Sequence, residues 1–178
     1  IVLDIVPNHV GVGGAENALW LDVLEWGEAS RYAEGFDIDW MPAEASLQHK
    51  ILVPFLGTSY DEALRSGDLE LRFDATEGAF AIWSAGTHKL PLGLPSYAQL
   101  LGGIVGLEVI TERCKTLSSA SEDEGLHTVT ALKGEIARVC AEGTAQRREL
   151  DRRLAYLGSA EGRDDFDRLI GRQHWRVA

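Results

Sequence analysis

The chain has 178 residues, 45% of them hydrophobic and 25% charged, an ordinary globular balance that argues against a disordered tail. Its formal charge of −11 opposes docking on nucleic acid or an anionic membrane, but a neutral ligand such as a sugar would feel little of that field. No apolar run approaches the roughly 20 residues of a membrane span, and Cys114 and Cys140 lack the C-x-x-C spacing of zinc ribbons and redox motifs. The two cysteines read as buried free thiols on helices, and a reducing cytoplasm is the expected compartment.

Ile1 to Val6 is an apolar run carrying one carboxylate, Asp4, and is expected to form a buried strand. Pro7 breaks it, and Asn8 and His9 follow at its carboxyl end, where parallel α/β folds place their sites. Gly11, Gly13 and Gly14 make a turn, and a helix is predicted near Leu19 to Trp26. Ser30 to Trp40 reads as a short helical turn followed by an extended Phe36-Asp37-Ile38-Asp39-Trp40. Ile51 to Phe55 is a short strand that Pro54 places at an edge or an end. Ser59 is positioned to cap a helix whose first turn carries Asp61 and Glu62.

Strict alternation in Leu69-Glu70-Leu71-Arg72-Phe73 marks a half-buried strand, and Ala79 to Trp83 is expected to pair with it across the Asp74–Gly78 turn. After a loop at Pro91 to Pro95 the chain reads as mostly helical from about Ser96, with breaks at Gly102-Gly103 and around 118–125. The longest helical stretch is 128–157, with Gly134 and Gly143 as possible dividers, and Asp164 to His174 forms a final helix.

Several side chains admit both a chemical and a plain structural role. Asp4, among aliphatic neighbours, needs a cationic or hydrogen-bonding partner that its own stretch does not supply, unless it sits at a wet strand edge. His9 can hydrogen-bond a substrate, move a proton or bind metal, or it can simply satisfy loop carbonyls. Asp37 and Asp39 are two apart and so share one side of an extended chain; they suit sugar hydroxyls or a cation, or form a solvated pair at a turn. Phe36 and Trp40 beside them would supply a platform for a pyranose ring, whereas Trp20, Trp26, Trp83 and Trp175 read as core. Gly11-x-Gly13-Gly14 matches no phosphate loop. Arg147, Arg148, Arg152 and Arg153 are interleaved with Glu149 and Asp151, which makes an ion-paired helix face rather than a nucleic-acid patch. His127 and His174 have no partner at metal-ligand spacing and read as structural.

Asp4-Ile5-Val6-Pro7-Asn8-His9 resembles the D-x-x-x-N-H region at the end of the third barrel strand in the α-amylase family, glycoside hydrolase family 13. Three further segments resemble the maltooligosyl trehalose synthase branch of that family. They are Tyr32 to Trp40, Ile51 to Gly57 with Tyr60-Asp61-Glu62-Ala63-Leu64, and Arg172-Gln173-His174-Trp175-Arg176. The stretch from Gly103 to Gly162 carries no motif of this kind. The resemblance implies an α/β fold: strand 3 of a (β/α)8 TIM barrel over residues 1–14, followed by a long α+β, mostly helical, domain B-like insertion. Residues 15–95 would be its mixed part lining the cleft, and 96–178 its helical part returning toward the barrel.

The implied reaction converts the reducing-end α-1,4 bond of a maltodextrin into an α,α-1,1 bond by double displacement in a site closed to water. The family's nucleophile, acid/base and third carboxylate are expected beyond residue 178, so no catalytic residue is assigned in this chain. Among substrate-binding residues, the resemblance gives His9 a sugar contact, Asp4 an arginine near the nucleophile, and Asn8 a position that binds calcium in many amylases. Asp37, Asp39 and Trp40 are carried over on the second segment. No metal and no cofactor are predicted, and the expected partners are maltodextrin and the remainder of the barrel. Position 1 is Ile, and Gln173 to Ala178 show no tail, so an internal piece of a larger enzyme is expected. The competing readings are another glucan hydrolase or transferase of the family, and a non-catalytic carbohydrate-binding α+β module.

Overall fold

The computed structural model describes residue 12, residues 14–117 and residues 122–178, with backbone alone over 122–126. The predicted strand at 1–6, with Asp4, Asn8 and His9, lies outside the described residues. The described chain is a mixed α/β arrangement of seven helices around two small sheets. No closed barrel forms among the described residues.

Helix α1 (Ala18–Trp26) starts where the Asn17 carboxamide accepts the Trp20 amide and buries Trp20, Val23 and Leu24. Strand β1 (Ile51–Val53) is short because Pro54 ends it. Helix α2 (Tyr60–Ser66) is capped by the Ser59 hydroxyl, which accepts the Glu62 amide, and closes on left-handed Gly67. Strands β2 (Leu69–Asp74), β3 (Ala79–Ser84) and β4 (His88–Pro91) form an antiparallel meander in the order β2-β3-β4. The register pairs Leu71 with Ile82 and Phe73 with Phe80, so these residues and Leu90 face the core. Glu70, Arg72, Asp74, Ala79, Ala81, Trp83 and Lys89 fall on the opposite face.

Helices α3 (Leu94–Leu101), α4 (Glu108–Leu117), α5 (Glu122–Val139), α6 (Ala145–Leu157) and α7 (Arg163–Gly171) follow, then strand β5 (Trp175–Val177). Strand β5 pairs in parallel with β1, Ile51 opposite Trp175. One apolar core runs from Trp20 through Phe80, Leu101 and Leu132 to Val177. Polar ties join its parts. Lys133 of α5 reaches Glu25 of α1 at 2.6 Å, and Tyr60 of α2 donates to Asp167 of α7 at 2.6 Å. Arg153 donates to the carbonyls of Leu100 and Gly102, each at 2.7 Å, which satisfies the open end of α3.

The chain departs from the sequence expectations in identifiable places. Strand β4 covers His88 to Leu90, which the sequence leaves unassigned, and Pro91, the first residue of the expected loop, because β3 carries β2 on one edge and takes β4 on the other. The final helix stops at Gly171, and Trp175 belongs to a strand, since pairing with β1 wins over helical continuation. Gly143, at φ +85°, does divide the long helical stretch, while Gly134 lies inside α5. Residues 36–40 do not run as one extended piece: the Ile38 amide donates to the Phe36 carbonyl at 3.0 Å, and the chain bends at Phe36 and Trp40. Cys114 and Cys140 are both buried and free. Burial pushes the Cys114 thiol up to about 11 and raises that of Cys140, so neither is a ready nucleophile near neutral pH.

Candidate functional site

Between α1 and β1 the chain forms a strap over residues 27–50, built from short 3₁₀ turns and extended pieces. It starts at Gly27, whose φ of +61° and whose approach to the His174 ring leave no room for a side chain; a Cβ there would lie 2.7 Å from Nδ1. Ser30 is buried, donates to Asp22 Oδ1 at 2.5 Å and accepts the Tyr32 amide at 3.1 Å. Phe36 packs on Trp20 with ring centroids 5.1 Å apart. Phe36, Ile38 and Trp40 lean on the core, which turns the intervening Asp37 and Asp39 to solvent. Both carboxylates are exposed, though the tight turn closed by the Ile38 amide and the Phe36 carbonyl means that this is not the extended run expected.

Asp39 Oδ1 accepts the Met41 amide at 3.0 Å, and the Trp40 carbonyl accepts the His49 amide at 2.8 Å. His49 sits at φ +60°, a left-handed conformation that costs a non-glycine residue about 1 kcal/mol or more. There its Nδ1 meets Glu28 Oε1 at 2.5 Å. Next along the chain, Lys50 donates to the Gly171 carbonyl at the end of α7, at 2.5 Å. Burial and the Arg176 guanidinium together hold the Lys50 ammonium below its usual range. His174 is also pulled down, by burial first and by Lys50 next, with Glu28 opposing. The strap thus brings Asp37, Asp39 and a half-buried Trp40 into one stretch, pinned beside a rim of Glu28, His49, Lys50 and His174. Such a surface offers paired acceptors, several donors and an aromatic edge, which suits hydroxyl-rich ligands.

Among the described residues, no group of three or more His, Cys, Asp and Glu could hold a metal ion, and no helix is long and apolar enough to cross a membrane. Trp20 Nε1, beneath Phe36, is buried and lacks a hydrogen-bond partner among the described residues.

The Arg172–Arg176 segment has a different job. Gln173 accepts the Gly93 amide at 3.0 Å and donates to Ser96 Oγ at 2.8 Å and to the Leu169 carbonyl at 2.6 Å. Trp175 donates to the Pro91 carbonyl at 2.8 Å. These contacts tie β4, α3, α7 and β5 together, so the motif's central residues are structural. Two of the four arginines of α6 pair with the interleaved acids, while Arg148 and Arg153 donate to backbone carbonyls, so Glu149 pairs with Arg152 and not with Arg153 four residues on. Arg147 binds Asp151 and lies over Phe73, Arg152 binds Glu149, and Arg148 donates to the Gly143 carbonyl.

Sequence reasoning missed the Glu28–His49 pair, because residues 21 apart in a non-repeating loop carry no periodic signal. It also assigned Trp83 to the core with Trp20, Trp26 and Trp175. Trp20 and Trp175 are buried and Trp26 packs against the core, but Trp83 is only partly buried, on the outer sheet face, and walls a cavity. Alternation from the buried Ile82 would have placed it there.

Two curated proteins of Mycobacterium tuberculosis, from strains CDC 1551 / Oshkosh and ATCC 25618 / H37Rv, are each 48% identical to this chain over 80 residues. Both bear the name "Putative maltooligosyl trehalose synthase". Over that stretch the chain resembles maltooligosyl trehalose synthases. The match covers 40% of this chain and 10% of each relative, as an internal piece of a longer enzyme would. No family model and no solved structure matches.

Proposed function

We propose that this chain is a segment of a maltooligosyl trehalose synthase-like enzyme of the α-amylase family. The parent would convert the reducing-end α-1,4 bond of a maltodextrin into an α,α-1,1 bond by intramolecular transglucosylation. The observation that carries this reading is the 48% identity over 80 residues to proteins bearing that enzyme's name. In this reading residues 1–6 are the third strand of a (β/α)8 barrel, and residues 15–178 are an insertion that walls one side of the glucan cleft. His9 contacts the sugar beside the scissile bond, Asp4 holds an arginine near the nucleophile, and Asn8 takes the position that binds calcium in many amylases, with no metal expected here. Asp37, Asp39 and Trp40 approach the glucan from the strap. The nucleophile and the acid/base come from later strands of the parent.

Chemistry sets one requirement on the insertion. The glucose released in the first displacement must stay bound and attack through its anomeric hydroxyl, so water has to be kept out. A wall anchored to a closed core, as the strap is anchored through Gly27, Ser30 and Phe36, serves that purpose better than a free loop. The parent enzyme incubated with maltohexaose should lose reducing ends without releasing free glucose. A product mixture of glucose and shorter maltooligosaccharides would assign it to the hydrolases instead. The 178-residue chain alone should show no isomerase activity; trehalose-end formation by it would overturn the placement of the catalytic carboxylates elsewhere.

A further inference from the structure

We propose that the outer face of the β2-β3-β4 sheet carries a second carbohydrate site, distinct from the strap, which takes a short stretch of α-glucan. A half-open cavity of about 320 Å³ lies there, within the range of small-molecule sites. Its lining includes Arg72, Asp74, Ala79, Ala81, Trp83 and Lys89. The register explains the shape. Arg72 lies opposite Ala81 and Asp74 opposite Ala79, while Trp83 lies opposite Lys89. Two alanines in the middle strand therefore make a low floor between long side chains, and Trp83 stands as the wall at one end.

The chemistry of the rim selects the ligand. Arg72 and Lys89, which pair with Glu70 and Glu77, donate hydrogen bonds. Asp74, whose Oδ1 already takes the Thr76 and Glu77 amides, can accept through its other oxygen, so a ring bearing hydroxyls meets both kinds of partner. A polyanion would face Glu70, Asp74 and Glu77 together with the net charge of −11, and a wholly apolar ligand would strand the charged rim. The indole offers the apolar surface that the C–H face of a pyranose needs. Arg72 lies over the Trp83 ring, 5.2 Å from Cζ to the centroid, and its partner Glu70 is exposed. Such an exposed pair is weak, so the guanidinium can shift to a sugar hydroxyl at little cost. That the sugar is an α-glucan rests on the proposed function; that it is a neutral carbohydrate rests on the cavity alone.

The test is calorimetric titration of the chain with maltoheptaose and, separately, with cellohexaose. Saturable maltoheptaose binding is expected, weakened at least about tenfold by Trp83→Ala and by Ala79→Leu, which fills the floor while keeping the indole. Trp83→Phe should retain most of the affinity. Thermal unfolding of each variant separates lost binding from lost fold, and Ala79→Leu keeps the test decisive should Trp83→Ala unfold. Absence of saturable binding by the wild-type chain, or equal binding by both disabling variants, overturns the proposal. Cellohexaose binding through Trp83 in place of maltoheptaose would contradict its α-glucan part. The proposed function is tested on the parent's products, so either reading can fail without the other.

Discussion

The segments Arg172–Arg176 and Tyr32–Trp40 carry the same resemblance, yet the fold uses them in opposite ways. Gln173 and Trp175 are buried, and their side-chain polar atoms are spent on backbone and side chains of three elements, β4, α3 with its cap, and α7. Asp37 and Asp39 are exposed on a strap with no strand pairing, fastened by the inward Phe36 and a few hydrogen bonds. Likeness to one enzyme name therefore does not mark ligand contact. Burial and hydrogen-bond accounting separate residues that hold the insertion together from residues free to meet a substrate.

That contrast can be broken first at glycines. Gly78 joins β2 to β3 at φ +63°, and a Cβ there would lie 1.9 Å from the Lys133 carbonyl of α5. Gly78→Ala should destabilise the chain by roughly 3 kcal/mol or more, as backbone on both sides must shift. Gly35, on the strap, has open space, and Gly35→Ala should change stability by less than about 1 kcal/mol. Urea midpoints compare the two directly; equal losses would mean that the strap is packed as tightly as the sheet.

Next in size is Gln173→Ala. It leaves the Gly93 amide buried and unsatisfied and strips the Leu169 carbonyl of the shorter of its two hydrogen bonds, at a cost of about 2–3 kcal/mol by urea denaturation. Asp37→Asn, by contrast, should lie within about 0.5 kcal/mol of wild type, while raising KM for maltohexaose in the parent enzyme. A large stability loss with unchanged KM would reverse the assignment of the strap.

A smaller, pH-dependent effect lies where the two regions touch. His174 has a folded value below its ordinary 6.5, because burial and the facing Lys50 disfavour the imidazolium while Glu28 only partly opposes them. The unfolded chain then binds the proton first as pH falls. Its contribution is complete above about pH 7 and is lost as pH drops through 6.5 toward the folded value. Stability measured from pH 7.5 to 5 should decline less steeply in His174→Gln than in wild type. An identical slope would mean that the imidazole is as wet in the fold as outside it.

Much of the architecture was readable from residue order because its signals are local. The alternation of Leu69 to Phe73, the Ser59 cap and the break at Pro54 each specify structure within a few residues. Strand β4 was missed because His88 to Pro91 is too short and mixed to show alternation, although its hairpin partner β3 is close by. Strand β5 was not readable, since it exists only through β1, a partner distant in the chain. The same holds for the site. Asp37, Asp39 and Trp40 are legible as a spacing, but Glu28 with His49 is made by folding, and the cavity beside Trp83 needs three strands to appear.

The most direct test of the account is hydrogen–deuterium exchange on the parent enzyme with and without saturating maltohexaose. Exchange should slow over residues 36–50 on ligand addition, with residues 173–177 protected equally in both states. Unchanged exchange over 36–50, with the ligand effect confined to 173–177, would contradict it.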